Sequence, residues 1–197
     1  MSIGIIGAGG IGSAIARLLV GAGLKVVISN RRGPESLKQL VDELGANARA
    51  VSTKEASEAE VVFLAVNWSK IPAAVEELGP WNGRIVIDTN NPIEAPLFKP
   101  FPLNGKPSTQ LIADMLPGAK VVKAFNHLSP ALLESPGSEG GKRVLFLSGE
   151  HVDAKRKVVE MINLLGFHGI DLGDLEQGQL AQFPGGPLPG LNLVKHG

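Results

Sequence analysis

The feature that most constrains the fold is a glycine-rich loop close to the amino terminus. Residues 3–6 read IGII, an apolar run typical of a buried strand, and residues 7–12 read GAGGIG. Apolar residues then recur at helical spacing from Ile11 to Val20. A strand, a G-x-G-x-x-G turn and a helix in this order predict the start of a dinucleotide-binding domain. A tight turn with a purely structural role is the alternative.

The glycines of this loop have different expected roles. Gly7 permits the tight turn, Gly9 leaves room for a pyrophosphate, and Gly12 lets the helix pack against the strand. The backbone amides from Ala8 to Ile11 are expected to face an anion at the positive end of the helix. The predicted pyrophosphate loop therefore consists of Gly7, Ala8, Gly9, Gly10, Ile11 and Gly12.

The end of the second predicted strand indicates which dinucleotide binds. Asn30 lies 23 positions beyond Gly7, where NAD-binding domains commonly carry an acid, and Arg31 and Arg32 follow it. An acid would repel a 2′-phosphate, whereas a guanidinium offers it paired donors. Asn30 and Ser36 are expected to add neutral donors. The sequence thus predicts NADP rather than NAD, and solvated turn arginines are the alternative.

Short apolar runs alternate with helical patterns along the rest of the chain, which predicts an α/β fold. We expect a Rossmann-type, doubly wound, mainly parallel sheet with helices on both faces, extended by a C-terminal βαβ unit. Strands are predicted at Ile3–Ile6, Lys25–Ser29, Ala48–Val51, Val61–Val66, Arg84–Asp88, Lys120–Phe125, Arg143–Ser148 and Phe167–Leu172. Helices are predicted at Ile11–Val20, Glu35–Leu44, Ile71–Leu78, Ser108–Met115 and Val152–Leu165, the last ending at Gly166.

Two segments break this alternation. Residues 90–106 contain four prolines and two phenylalanines, and predict a long irregular loop of the kind that is often functional. Residues 183–197 are rich in proline and glycine, and we expect a tail that is either disordered or laid across a partner subunit. The sequence therefore predicts one NADP-binding domain over residues 1–182, followed by a tail over residues 183–197.

Polar side chains follow three of the predicted strands, at residues 65–68 (AVNW), 88–92 (DTNNP) and 124–128 (AFNHL). Ligands of such sheets bind at the carboxyl ends of the strands, so these segments suit ribose and nicotinamide contacts. A packing role at a helix start is the alternative for the tryptophan. Cofactor contacts are expected from Val66, Asn67, Trp68, Asn90, Ala124, Asn126 and Leu128.

Candidates for catalysis are few. His127 lies at one of these strand ends and is a candidate general acid or base, although a hydrogen-bonded loop histidine is the favoured interpretation. Asn126 is the other candidate. Asp88 is expected to cap the following turn.

Composition excludes several classes of function. The chain has no cysteine and no tyrosine, which removes disulfides, thiolate chemistry and the Tyr-Lys pair of short-chain dehydrogenases. Its 19 basic and 19 acidic residues cancel, so a nucleic-acid partner is not expected. The histidines show no metal-ligand spacing, and no metal is expected. With no leader and no long apolar run in the sequence, we expect a cytoplasmic protein without a membrane partner.

The motifs IGIIGAGGIGSAIARLL, VVISNRRGPESL, VVFLAVNW, IVIDTNNP, VVKAFNHL and GFHGIDLGDLEQGQL together resemble the NADP oxidoreductase, coenzyme F-420-dependent family, from Met1 to about Leu180. The resemblance implies a homodimer in which NADPH exchanges a hydride with a deazaflavin stacked on the nicotinamide. It also implies that Trp68 lies near the cofactor, and that Asn126 and Leu128 lie near the nicotinamide and the deazaflavin. Archaeal members carry a histidine in place of Asn126, and their C-terminal segment differs.

Three functions remain open at this stage. The first is an NADPH-dependent reductase of a deazaflavin (coenzyme F-420) or a flavin-like small-molecule acceptor. The second is an NADPH-dependent reductase of a small carbonyl or imine, although relatives of that type usually add a large helical domain. The third is an NADP-binding sensor without turnover. Transfer between two stacked rings needs apposition rather than a placed acid, which favours the first.

Overall fold

The chain folds into alternating strands and helices, and the computed structural model describes residues 1–94 and 97–197. The strands are β1 (Ile3–Ile6), β2 (Val26–Ser29), β3 (Ala48–Ala50), β4 (Val61–Leu64), β5 (Ile85–Asp88), β6 (Ile93–Glu94), β7 (Lys99–Pro100), β8 (Lys120–Ala124), β9 (Gly137–Ser138), β10 (Gly141–Gly149), β11 (His168–Asp171) and β12 (Val194–His196). The helices are α1 (Gly10–Gly21), α2 (Lys38–Leu44), α3 (Thr53–Ser57), α4 (Ile71–Val75), α5 (Ser108–Met115), α6 (Pro130–Leu133) and α7 (Val152–Leu164). Single 3-10 turns occupy Pro34–Leu37, Gly45–Asn47, Trp68–Lys70 and Gln177–Ala181.

The main sheet has the strand order β11-β10-β8-β5-β4-β1-β2-β3. The strands from β3 to β8 in this order are all parallel, and the order reverses between β1 and β4. This is the predicted doubly wound arrangement, and the reversal marks the edge where ligands of such folds bind. The predicted βαβ unit is formed by β10, α7 and β11, and β10 lies antiparallel to β8.

Both faces of the sheet are buried, as predicted from the apolar strands. Val61 and Phe63 of β4 point into one core, which α1, α6 and α7 cover. Val62 and Leu64 point into the other core, which receives side chains from α3, α4 and α5. Because successive residues of a strand face opposite sides, a strand covered on both sides must be apolar at every position.

The C-terminal tail is partly ordered, against the expected alternative of disorder, and its contact with a partner stays a prediction. Residues 194–196 form β12, which pairs with residues 141–143 of β10, and Val144 N–H donates to the Leu193 carbonyl at 2.9 Å. The first part of β10 extends beyond its pairing with β8, so its backbone groups need other partners. The chain's own tail and β9 supply them.

Other differences concern short elements. Residues 93–94 and 99–100 of the predicted irregular loop pair as a two-stranded ribbon, while Ala95 and Pro96 lie outside the described residues. The helix expected at 35–44 is a 3-10 turn followed by α2, and the one expected at 71–78 ends as α4 at Val75. α3 and α6 are too short to show a helical period in the sequence. In the part of the chain that the structure describes, no helix is both long and apolar enough to cross a membrane.

Candidate functional site

The glycine loop lies between the end of β1 and the start of α1. Gly7 has φ +105°, and a Cβ there would lie 2.1 Å from the Ala65 carbonyl oxygen. A Cβ at Gly12 would lie 1.9 Å from the Gly7 oxygen, so the fold itself requires glycine at both positions. Gly9 is different, because its φ is −79° and a Cβ would meet no atom within 4 Å. Space above Gly9 is free for a pyrophosphate, as the sequence predicts.

Helix α1 begins at this loop without any side-chain cap. Gly9 is its N-cap, and no acidic residue occupies the first turn. The first amides of a helix have no partner within it and carry partial positive charge. Gly10 and Ile11 therefore have N–H groups without a partner inside the helix, next in sequence to the open position at Gly9, an arrangement suited to a phosphate.

A cleft of about 310 Å³ joins this loop to the end of β2. It is lined by Ala8, Gly9, Asn30, Arg31 and Arg32. The sequence places these two groups more than twenty residues apart, and the parallel pairing of β1 with β2 brings them together. The predicted pyrophosphate and 2′-phosphate sites thus share one cleft.

Arg31 and Arg32 are exposed, and within residues 1–94 and 97–197 neither forms an ion pair with an acid. Arg17 shows the contrast, since it binds both Glu43 and Glu134. A guanidinium without a protein partner keeps its donors for a ligand. The geometry is that expected of a 2′-phosphate site.

Asn30 and Ser36 shape the turn that carries these arginines. The Asn30 Oδ1 accepts from Arg32 N–H at 2.8 Å, and its Nδ2 donates to Ser36 Oγ at 2.9 Å. The Ser36 hydroxyl lies 2.7 Å from the Gly33 oxygen, to which it donates its one proton. Ser36 is therefore a turn residue rather than the expected donor to the cofactor, while Asn30 keeps one amide hydrogen.

The residues after β4 differ in burial. Val66 is partly buried beside Gly7, and Asn67 is exposed. Trp68 is only 8% exposed and packs with Ile71 and other residues of the second core. Its burial favours the packing role, and its contact with the cofactor stays a prediction.

A buried ion pair joins the ends of β5 and β8. Lys123 Nζ donates to Asp88 Oδ2 at 3.1 Å, to the Asn90 carbonyl oxygen at 2.8 Å and to Ser108 Oγ at 3.2 Å. The other oxygen of Asp88 accepts from Asn90 N–H at 2.9 Å, which is the turn cap that the sequence predicts. The two charges compensate each other away from water, and they fix the turn after β5.

The expected cofactor contact of Asn90 is restricted by this network. Its Nδ2 donates to Asp88 Oδ1 at 3.0 Å and to the Leu64 carbonyl oxygen at 2.9 Å, and the residue is buried. Both amide hydrogens are thus used within the protein. The side chain ties β5 to β4 at the edge where the cofactor is expected.

The chain turns sharply after β8. Phe125 has φ +62°, a strained conformation for a bulky residue, and its fully buried ring packs edge-on against Phe63. Ala124 and Leu128 are buried in the first core. Their side chains are therefore core residues, a correction to the expected contacts, and only their backbone groups remain available to a cofactor.

Asn126 and Asn91 form a reciprocal pair across the ends of β8 and β5. Asn126 Nδ2 donates to Asn91 Oδ1 at 3.1 Å and to the Ala181 carbonyl oxygen at 2.7 Å. Asn91 Nδ2 donates to the Asn126 carbonyl oxygen at 2.7 Å. Asn126 thus holds two strand ends and the C-terminal segment together, and an amide side chain supplies no proton for acid catalysis.

His127 is buried, whereas the sequence favoured a hydrogen-bonded loop histidine. The side chain is 4% exposed, and its ring lies 5.0 Å from that of Phe146. Among the described residues its ring nitrogens make no well-formed hydrogen bond, only a weak contact with the Val144 backbone. Burial lowers the pKa of His127 to about 4, because the charged form would lose its hydration. At neutral pH the ring is uncharged and shielded from the cleft.

Lys123 is a site residue that sequence reasoning missed, while Asn91 was included only within the polar segment 88–92. A lysine within the run VVKAF was the available signal, since a charge in a buried strand needs a partner. No group of three or more potential metal ligands was found in the described part of the chain.

Comparison with known proteins shows which families and structures this chain is similar to. The family model described as NADP oxidoreductase, coenzyme F420-dependent, matches residues 2–92. A solved structure of a hypothetical protein, SMa0349 from Sinorhizobium meliloti, is 48% identical, covers 99% of this chain and 96% of that one, and has a TM-score of 0.93. A candidate F420-dependent NADP reductase from Arthrobacter sp. FB24 is 28% identical, covers 91% of this chain and 87% of that one, and has a TM-score of 0.80.

A longer relative matches most of the chain. Metalloreductase STEAP3 of Rattus norvegicus is 32% identical over 177 residues, which are 88% of this chain and 34% of the relative. The chain spans about a third of the length of the curated metalloreductases it matches. The amino-terminal part of the chain is therefore similar to the family described as NADP oxidoreductase, coenzyme F420-dependent.

Proposed function

We propose that the chain is an NADP-dependent oxidoreductase that transfers a hydride between NADP(H) and a flavin-like ring, either the deazaflavin coenzyme F420 or a flavin. The balanced step gives NADP⁺ and a ring that has gained one hydride from NADPH and one proton from water. The chain's own part is to bind the nucleotide, to orient the two rings and to exclude water.

The proposed binding of NADP(H) is supported by the cleft between the glycine loop and the end of β2. The free amides of α1 and the open space at Gly9 fit a pyrophosphate, and Arg31 and Arg32 fit a 2′-phosphate. The nicotinamide would then lie along the carboxyl edge of the sheet, towards the ends of β4, β5 and β8.

The proposed class of hydride acceptor is supported by one observation. The described ionisable side chains at these strand ends are buried or already bonded to other protein groups. Asp88 is paired with Lys123, whose three donated hydrogen bonds all go to protein atoms, and His127 is buried and neutral. Reduction of a carbonyl needs an acid to protonate the developing alkoxide. A flavin or deazaflavin ring takes its proton from solvent, so it is the acceptor class that this edge suits best.

The likeness to a metalloreductase is compatible with the same proposal. A nicotinamide gives up two electrons together as a hydride, whereas a metal ion takes electrons singly. A flavin-like ring can receive the pair, and a flavin can then release electrons one at a time. We therefore propose the ring, and not a metal ion, as the direct acceptor.

The experiment is NADPH oxidation by the purified chain with riboflavin, FMN, a deazaflavin, cyclohexanone and a cyclic imine as separate acceptors. We expect oxidation with at least one ring acceptor above the rate without protein, and much slower oxidation with NADH. Turnover with only the ketone or the imine would replace the proposal with a carbonyl or imine reductase. Tight NADPH binding without turnover on any acceptor would replace it with a sensor.

We also propose that the chain acts as a homodimer, as the sequence resemblance implies. Leu97 and Phe98, next to each other in the ribbon between β6 and β7, are large and exposed apolar side chains of the kind that protein interfaces cover. Sedimentation equilibrium should give twice the mass of the chain. A monomer mass at micromolar concentration would contradict this part of the proposal.

A further inference from the structure

The C-terminal segment, residues 177–190, is attached to the edge of the sheet where the nicotinamide is expected. Asn91 Oδ1 accepts from Phe183 N–H at 3.0 Å, and the Ala181 oxygen accepts from Asn126 Nδ2 at 2.7 Å. Gly190 N–H donates to the His127 carbonyl oxygen at 2.8 Å. These bonds fix the segment to the ends of β5 and β8, so its side chains border the predicted acceptor position.

Two phenylalanines are attached through their backbones near this edge of the sheet. Phe183 N–H donates to the side chain of Asn91. Phe101 N–H donates, at 2.8 Å, to the carbonyl oxygen of Pro92, which is the residue after Asn91. Phe183 is 40% exposed and Phe101 is 36% exposed. Two residues with partly exposed aromatic side chains are thus anchored through their backbones to Asn91 and Pro92, in the turn that follows β5.

We propose that Phe183 and Phe101 form an apolar wall that holds the planar ring of the hydride acceptor. The inference rests on the proposed function and identifies the residues that select a ring over a small carbonyl. Partly exposed aromatic faces gain most from a flat apolar partner, which stacks on them or meets them edge-on. Backbone hydrogen bonds already order both positions, so binding loses little additional chain entropy.

The test compares Phe183→Ala and Phe101→Ala with the unchanged chain. Riboflavin is the probe, and its Kd is measured by fluorescence quenching with NADP⁺ present, alongside its KM in NADPH oxidation. Each substitution should raise both constants about two- to twelvefold, the range of one aromatic contact. The Kd for NADPH should stay unchanged, because the nucleotide cleft lies at Ala8, Gly9 and residues 30–32.

Three controls separate stacking from a general effect on folding. Phe183→Tyr keeps the ring and should bind riboflavin like the unchanged chain, whereas Phe183→Leu keeps apolar volume without the ring and should bind more weakly. Leu193→Ala removes a side chain of similar exposure from the same tail, on the side that pairs with β10, and should have no effect. Melting temperatures show whether each variant folds.

Suppose that the original chain reduces riboflavin and that both alanine variants have the same riboflavin Kd and KM as that chain. This result would contradict the proposed aromatic wall and would leave the proposed function unaffected. Equal losses of NADPH and riboflavin binding would also overturn it, since the phenylalanines would then only support the fold. No reduction of any ring acceptor by the unchanged chain would overturn the proposed function, and this inference with it.

Discussion

Lys123 Nζ lies 3.1 Å from Asp88 Oδ2, and both side chains are buried between the ends of β5 and β8. The ammonium group also bonds the Asn90 carbonyl oxygen, and Asp88 caps the same turn. The pair therefore combines two strand ends and the intervening turn into one unit. A buried ion pair is costly to break on one side only, because the remaining charge is left without compensation.

Lys123→Met should accordingly destabilise the protein by about 3–5 kcal/mol. Adding Asp88→Asn to it should cost less than the sum of the two single substitutions, since no charge is then left unpaired. Urea denaturation of the three variants measures both effects. Lys38→Met, which removes an exposed i,i+4 pair with Asp42, is the control and should change little. Additive losses would mean that the buried pair is not coupled.

Gly9→Ala should weaken NADPH binding, whereas Gly12→Ala should destabilise the fold. A Cβ at Gly9 meets open space, so the fold should tolerate it, while NADPH binding should weaken about tenfold or more through overlap with the pyrophosphate. A Cβ at Gly12 meets the Gly7 oxygen at 1.9 Å, and the variant should lose about 3 kcal/mol of stability or more. Thermal melts and NADPH titrations distinguish them. Normal NADPH affinity of Gly9→Ala would exclude pyrophosphate from this loop.

Replacing Arg31 and Arg32 together by alanine should weaken NADPH binding about ten- to a hundredfold and leave NADH binding nearly unchanged. The reason is that both guanidinium groups border the cleft without a protein partner among the described residues, and only NADPH carries the 2′-phosphate. Titrations with both nucleotides measure the difference. Arg49→Ala, on β3 and bonded to Glu55, is the matched control. Equal losses for both nucleotides would mean that the arginines only shape the turn.

His127 should make stability depend on pH. Burial lowers its pKa to about 4 from an ordinary value of 6.5, so the unfolded chain binds a proton that the folded chain excludes. The contribution of neutral His127 to the free energy of unfolding is complete above pH 6.5. It falls by about 3 kcal/mol as the pH decreases towards 4. His127→Leu should remove that part of the pH dependence, as measured by urea unfolding at pH 7 and at pH 4.5.

The same variant tests the catalytic alternative. A buried and neutral ring does not exchange protons with substrate, so His127→Leu should keep the kcat of hydride transfer and its pH profile between pH 6 and 8. A kcat reduced a hundredfold in a folded variant would restore His127 as an acid or base.

The sequence by itself determined the sheet and the glycine loop, and it predicts NADP as the bound nucleotide. Strands buried on both faces must be apolar throughout, and the loop and the arginine turn are short contiguous motifs whose function depends on local backbone geometry. Their positions could therefore be predicted within one or two residues. The edges of the short elements could not, since α3 and the ribbon of β6 and β7 contain too few residues to show a period.

Only the tertiary structure decided the chemistry at the strand ends. Asn91 meets Phe183 across 92 residues of chain, and Lys123 meets Asp88 across 35. Local sequence contains no signal for such pairs, because which polar group is buried, paired or exposed depends on segments that packing brings together. For that reason His127 proved to be a buried neutral residue, Ala124 and Leu128 core residues, and the tail a part of the sheet.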